Sequence, residues 1–410
     1  MRHTPFLLLS LAIGLILGTA SNPAFAQPGN QALASARQRM VREEIEAQGI
    51  KNAALLDAMR EVPRDQFVPT HRRNVAYLNV AITYGDGHVI LPPLVIAHAI
   101  EQLDPKLNDK VLVIGTGTGY STALLSRMSK EVYSIEIDRA TALTAEETLR
   151  RLKYTNIQLK VGDGFEGWKE NAPFQKIIVE CSPDTVPPAL IEQLDEGGSL
   201  LIPVGDDYDQ TMYLMKKVNG QLETVSMWPT LLVPMKGRAE ELRSSSSEKP
   251  RPPSINNGGF EEIVPGSDNL PMHWTYVRQA KVIEGERFPE GNRALQFLND
   301  TPGHLSTAIQ AFPVDGKSVS EITLSFRVWG KEIRPGLTRQ QLPRLEVRFF
   351  DDKRRPCGGD WVGGWFLTFD WVQKTRRFSV PRQAKFAIVQ IGLDGATGEI
   401  RFDDLRITSP

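Results

Sequence analysis

Cysteine is nearly absent, with only Cys181 and Cys357 in 410 residues, which excludes a disulfide framework or a cysteine-rich metal cluster. The six histidines are scattered, and none forms a His-x-x-x-His pair that would mark a metal centre. Charge of one sign is also missing: a formal net charge of −1 leaves no electrostatic footprint for nucleic acid or acidic lipid. Only one long apolar run exists, Phe6–Leu17, behind Arg2 and His3 and ahead of Ala24-Phe25-Ala26. That arrangement predicts a secretory signal, residues 1–26, cleaved after Ala26, with no stable membrane span afterwards. Export to the periplasm or beyond follows from it. The alternatives are an uncleaved anchor, short for a span of ~20 residues, or a cytoplasmic chain with a misplaced start.

What is present begins with Val111–Tyr120, VLVIGTGTGY, a strand pattern running into Gly115, Gly117 and Gly119. Glycines there let a backbone approach a bulky cofactor, and the helix predicted after them points its amides at a carboxylate or phosphate. From Lys110 to Pro203 strand and helix patterns alternate, which argues for a parallel sheet covered on both faces. Asn219-Gly220, flanked by Met212–Val218 and Leu222–Trp228, predicts an antiparallel hairpin at the sheet edge. Composition then shifts: residues 239–253, with their serine run and EKPRPP, read as a linker. Residues 254–410 carry short β-rich runs spaced by turn residues, the pattern of an antiparallel sandwich.

The cofactor is narrowed by two acids. Glu136 ends the next strand, where a carboxylate can accept both hydroxyls of a ribose. Asp163 and Gly164 follow the strand after that, within reach of an adenine amino group. A dinucleotide fingerprint needs its third glycine one position later than Gly119, so the spacing favours S-adenosylmethionine over NAD. The cofactor-binding candidates are Gly115, Thr116, Gly117, Gly119, Tyr120, Glu136, Asp163 and Gly164.

A run of motifs in order then resembles the protein-L-isoaspartate O-methyltransferases over Leu33–Arg238. They are MREVPRDQFVP (Met59–Pro69), AYLNVAITYGDG (Ala76–Gly87), VLVIGTGTGY, VYSIEID (Val132–Asp138), VGDGFEGW (Val161–Trp168), VPPALIEQLDEGG (Val186–Gly198), LIPVG (Leu201–Gly205) and VPMKGR (Val233–Arg238). The resemblance implies a Rossmann-like α/β methyltransferase fold and S-adenosyl-L-methionine as cofactor. It also implies damaged proteins or peptides as partners, whose isoaspartyl carboxylates would be methylated. The substrate half departs from the family. Where the family has Thr-Ile-Ser-Gln-Pro, this chain has Val89-Ile90-Leu91-Pro92-Pro93, so the substrate-binding hydroxyls are replaced and Leu91 holds the position of one of them. Asn79 stands where aspartate is common, and Val113 where glutamate is usual. His88 or backbone amides near Gly85–Gly87 are the substitute donors. Otherwise the chain methylates another acceptor, or is an exported binding protein on an inactive methyltransferase-like scaffold.

The C-terminal part opens on Asn257–Glu261 and closes on Phe402–Ile407, ends that resemble a carbohydrate-binding, galactose-binding-like jelly roll. That likeness implies a structural calcium shared by Glu261 and Asp403; the alternative is two capping carboxylates. Trp361, Trp365 and Trp371 raise a glycan or surface ligand, against the plainer reading that they are core.

Overall fold

The computed structural model describes residues 29–85, 88–245, 251–285 and 287–409; the export signal expected in residues 1–26 lies outside them. Among the described residues no helix is long and apolar enough to cross a membrane. The chain opens with α1 (Asn30–Met40), continued by a π turn (Val41–Ile45), and with α2 (Ala53–Glu61). The Asn52 side chain caps α2 by accepting the Leu55 N–H at 3.1 Å. A short antiparallel pair follows, β1 (Ile82–Tyr84) and β2 (His88–Ile90), then α3 (Pro93–Leu103).

The alternation predicted from sequence is present as β3 (Lys110–Ile114), α4 (Tyr120–Met128), β4 (Glu131–Glu136), α5 (Arg139–Arg151), β5 (Ile157–Val161), β6 (Phe174–Val179), α6 (Pro188–Gln193) and β7 (Leu194–Gly205). These strands run parallel; β8 (Gln210–Val218) and β9 (Gln221–Thr230) add an antiparallel edge, in the order β5-β4-β3-β6-β7-β8-β9. Asn219 and Gly220 both take left-handed backbone (φ 52° and 77°), as a tight primed hairpin turn requires. Val111 and Val113 pack on one face of the sheet, Leu112 and Ile114 on the other, so β3 is buried on both sides. The order reverses between β3 and β6, and doubly wound sheets bind ligands off the carboxyl ends at that point.

The stretch expected as linker is partly helical: α7 spans Arg238–Ser245. Its Glu240 and Glu241 lie in the first turn, where the helix dipole favours them, and Arg243 ties it to Asp184 at 2.8 Å.

Beyond it, among the described residues, all regular structure is β, in β10 (Thr275–Arg278), β11 (Ala280–Glu284), β12 (Arg293–Asn299), β13 (Thr307–Pro313), β14 (Glu321–Arg334), β15 (Arg344–Phe350), β16 (Pro356–Gly363), β17 (Leu367–Ser379), β18 (Phe386–Gly392) and β19 (Thr397–Thr408). They form two antiparallel five-stranded sheets, β10-β13-β18-β15-β16 and β11-β12-β19-β14-β17. Phe297, Phe326 and Phe402 of one sheet and Phe312, Val347 and Val389 of the other share one core. The sandwich docks on the α/β half through Leu231 and Tyr208, which meet Ile309, Ala311, Tyr276 and Ile388. Polar contacts flank that apolar patch: Asp209 accepts from Asn256 at 3.1 Å and pairs with His273 at 2.9 Å.

The calcium expectation meets a different use of its carboxylates. Glu261 accepts the N–H groups of Asn292 and Arg293 (2.9 and 3.0 Å), and Asp403 accepts those of Glu290 and Asp404 (2.9 and 2.7 Å). Both therefore cap backbone, and no group of three ligating side chains among the described residues could hold a metal ion. The three tryptophans are likewise separated by role. Trp365 packs on Phe326 and Phe402, Trp371 meets Phe288, and Trp361 lies beneath Arg344.

Candidate functional site

A cleft of about 1120 Å³ opens off the carboxyl ends of β3, β4 and β6 and reaches the sandwich. That exceeds the ~300–1,000 Å³ of an ordinary ligand pocket, so it has room for a cofactor and part of an acceptor.

The glycine turn forms its floor. Gly117 has φ 54°, and a Cβ there would lie 3.3 Å from the Tyr84 hydroxyl, so both conformation and space favour glycine. Glu136 reaches across from β4: its carboxylate accepts the Gly117 N–H at 2.9 Å and the Asp138 N–H at 3.0 Å. This holds the turn open while leaving lone pairs directed for further donors. Thr116 does not face out as a ligand group; its hydroxyl is buried against Ser134 at 2.7 Å. Gly119 caps α4, and Tyr120 is fully packed, with its ring beneath the Arg64 guanidinium at 4.8 Å.

Gly164 lines the cleft, and a Cβ on it would sit 2.2 Å from Ile114 Cγ2. Gly164→Ala is therefore expected to destabilise the fold by about 1–3 kcal/mol through overpacking at the end of β3, read by urea denaturation. Asp163 is placed otherwise than expected. It is not among the residues lining the cleft, and its oxygens accept Phe165 N at 2.9 Å and Arg238 N at 2.7 Å. The carboxylate fastens the Gly237-Arg238 turn over the strand ends.

The loop after β2, expected from sequence to face the acceptor, is apolar. Val89 and Leu91 line the cleft, and the Leu91 carbonyl accepts from buried Arg64 at 2.8 Å. Arg64 also donates to the Ala76 carbonyl at 2.9 Å, so one guanidinium ties the loop after β2 to the segment ahead of β1. His88 lines the same cleft with its ring 5.3 Å from Tyr84; Asp86 and Gly87 lie outside the described residues. His98 is packed edge-on against Trp228 at 4.8 Å, and burial lowers its pKa. Asn79 is buried and accepts the Leu94 N–H at 3.2 Å, anchoring the start of α3.

The cleft residues not singled out from sequence include Tyr84, Glu180, Arg278 and Arg354. Glu180 follows β6 directly, beside Gly115. Burial raises its carboxyl from 4.5 to about 7, and a hydrogen bond from Ser121 pulls the other way. The folded chain thus keeps a proton that the unfolded chain releases near pH 4.5. Its contribution to stability is full below that pH and is lost as pH rises through about 7. Asp403, raised by burial from 3.8 to about 7, acts in the same direction. The melting temperature should fall by about 5 °C between pH 5 and pH 8, and Glu180→Gln should flatten part of that slope in calorimetry. A melting curve that improves with pH over that range would contradict both assignments.

Compared with known proteins, residues 35–240 match the family model described as Protein-L-isoaspartate(D-aspartate) O-methyltransferase. A protein-L-isoaspartate O-methyltransferase of Opitutus terrae is 40% identical over 225 residues, covering 55% of this chain and 94% of that one. Its counterpart in a Picosynechococcus species is 39% identical over 203 residues, covering 50% and 91%. A solved protein-L-isoaspartate O-methyltransferase structure is 26% identical with a TM-score of 0.46, covering 53% of this chain and 73% of that one.

Proposed function

The chain belongs to the protein-L-isoaspartate(D-aspartate) O-methyltransferase family and is an S-adenosylmethionine-dependent methyltransferase acting on isoaspartyl carboxylates in proteins; on that premise we propose how its own residues divide the work. The observation that carries this reading is the Glu136 carboxylate bonded to Gly117 N–H at 2.9 Å, in a turn whose three glycines all take left-handed backbone (φ 91°, 54° and 91°). Glu136 would receive the ribose hydroxyls, and the first-turn amides of α4, from Tyr120 on, would face the cofactor's carboxylate, since the N–H groups of Gly115, Thr116, Gly117 and Gly119 are held by Ile135, Glu136 and Thr116. When bound, S-adenosylmethionine supplies an electrophilic methyl group on a sulfonium centre. An isoaspartyl carboxylate is already ionised at neutral pH, so no residue has to remove a proton. The chain's task is alignment and exclusion of water, served by Val89, Leu91 and Ile114 around the cleft.

The test is calorimetric titration with S-adenosylhomocysteine, then methyl transfer to an isoaspartyl peptide and to its aspartyl twin. Saturable binding and transfer to the isoaspartyl peptide alone is the expected result. Absence of cofactor binding overturns the whole reading, and transfer to the aspartyl twin overturns the acceptor.

Three finer readings complete the proposal. Residues 1–26 act as an export signal, which fractionation of the expressing cell tests. The sandwich, whose ends resemble a jelly roll, serves as a docking wall. Glycan stacking has less support, because Trp361, Trp365 and Trp371 form no shared platform. Glu261 and Asp403 stabilise backbone with or without calcium, so chelation should leave the melting temperature unchanged.

A further inference from the structure

An acceptor carboxylate has to lie near Val89 and Leu91, and neither side chain can donate to it. The cleft has another wall, however, built by the sandwich. β10 is an edge strand, and its pairing with β13 slips between Thr275 and Arg278. Tyr276 and Gln279 take left-handed backbone (φ 50° and 48°), which a bulky residue adopts only where its surroundings impose it. Bulges of this kind re-aim side chains. Here the Tyr276 ring is set into the contact with Leu231, and its hydroxyl donates to the Leu231 carbonyl at 3.4 Å.

The same irregularity delivers Arg278 to the acceptor loop. Its Nη1 donates to the Asn79 carbonyl at 3.0 Å, and Asn79 holds the Leu94 N–H just beyond Val89–Pro93. No carboxylate among the described residues forms an ion pair with Arg278; Glu44 acts on it only at longer range. One donor is committed, and the rest of the guanidinium fork is available at the cleft wall. A second cation stands on this wall. Arg354, with left-handed backbone (φ 57°), projects from the turn between β15 and β16 and lies 4.8 Å over the Phe386 ring. Asp351 shapes that turn by accepting Lys353 N and Arg355 N at 3.0 and 2.8 Å.

We propose that Arg278, contributed by the sandwich, binds the acceptor carboxylate in place of the missing loop hydroxyls, with Arg354 as the second cation that draws anionic acceptors into the cleft. The proposal rests on the methyltransferase reading above and deepens it: the α/β half alone has an incomplete acceptor site. A guanidinium offers a carboxylate two parallel charge-assisted hydrogen bonds, a stronger match than hydroxyls. Methyl transfer removes the negative charge, so the same pair releases the ester product. Arg278 therefore acts on binding more than on turnover.

The experiment uses the full chain saturated with S-adenosylhomocysteine, titrated with an isoaspartyl peptide and with a twin carrying an amide in place of the carboxylate. Arg278→Gln should weaken isoaspartyl binding about a hundredfold, as removal of one partner of a desolvated pair does. Arg278→Lys should retain an intermediate affinity. S-adenosylhomocysteine affinity within about twofold of the parent, together with the parent's calorimetric unfolding profile, shows that both halves of the variants are folded and docked. In turnover, KM should carry the loss and kcat should change little. Binding of the isoaspartyl peptide that survives Arg278→Gln, or equal binding of the amide twin by the parent, overturns the proposal. Arg278-dependent binding without methyl transfer supports this site and overturns only the activity. A parent chain that binds neither peptide overturns both.

Discussion

Replacing Glu136 with glutamine is expected to weaken S-adenosylhomocysteine binding about a hundredfold while leaving the fold intact. The carboxylate accepts Gly117 N–H on one oxygen and Asp138 N–H on the other, at 2.9 and 3.0 Å. An amide of the same shape must turn its NH₂ toward one of those donors, leaving a buried N–H without an acceptor at ~1–3 kcal/mol. It also loses the charge that strengthens each bond to a ribose hydroxyl. The unpaired N–H is carried by free and bound protein alike, so the affinity falls through the weakened bonds to two ribose hydroxyls, roughly 3 kcal/mol in all, and 1.4 kcal/mol is tenfold in affinity. Glu131, at the other end of the same strand, supplies the control: Glu131→Gln should leave cofactor affinity untouched. Calorimetric titration decides it, and an affinity for Glu136→Gln within threefold of the parent would remove ribose from Glu136's role.

That Glu136 and the glycine turn meet at one cleft was legible because the signal is local: a strand, a three-glycine turn and an acid at the end of the next strand fall within one short stretch. The alternation of Lys110–Pro203 and the Asn219-Gly220 hairpin were legible for the same reason, since period and turn chemistry are set by neighbours in the chain. The family match to residues 35–240 agrees with the motif run over Leu33–Arg238. Asp163 shows the limit of such reading. Its place at the strand end was readable, but the N–H that Arg238, far along the chain, donates to one of its oxygens was not. The linker reading began too early because the serine run masked a short helix-forming stretch, Ala239–Arg243, which packs back on Ser182 and Asp184. Arg278 and Arg354 were invisible for a stronger reason. Nothing near either residue in sequence says that the two halves dock, and each faces the cleft through a left-handed backbone position at Tyr276, Gln279 or Arg354 itself.

Docking itself can be broken from the sandwich side of the cleft, away from the glycine turn, and Ile309→Asp is expected to do so. Along β13 the side chains alternate: Ala308 and Phe312 enter the sandwich core, whereas Ile309 and Ala311 face Leu231 and Tyr208 of the α/β half. The aspartate would thus place a charge in the small apolar patch between the halves while sparing the core of either. Flanking contacts such as His273 with Asp209 are partly exposed and too weak to hold the halves against a buried, unpaired carboxylate. Scattering should then show a larger radius of gyration, and calorimetry two transitions in place of one. Cofactor affinity should remain within about twofold, because Glu136 and the glycine turn belong to the α/β half alone. The specificity constant for an isoaspartyl peptide should fall about a hundredfold, matching Arg278→Gln. Combining the two substitutions should cost little more than either, since both remove the same guanidinium from the same cleft. An undocked variant that keeps the parent's specificity constant would show that the α/β half binds its acceptor unaided. Additive losses in the double variant would instead mean that Arg278 still serves the acceptor in the Ile309→Asp chain and that the aspartate acts through other contacts, with Arg354 the first to test.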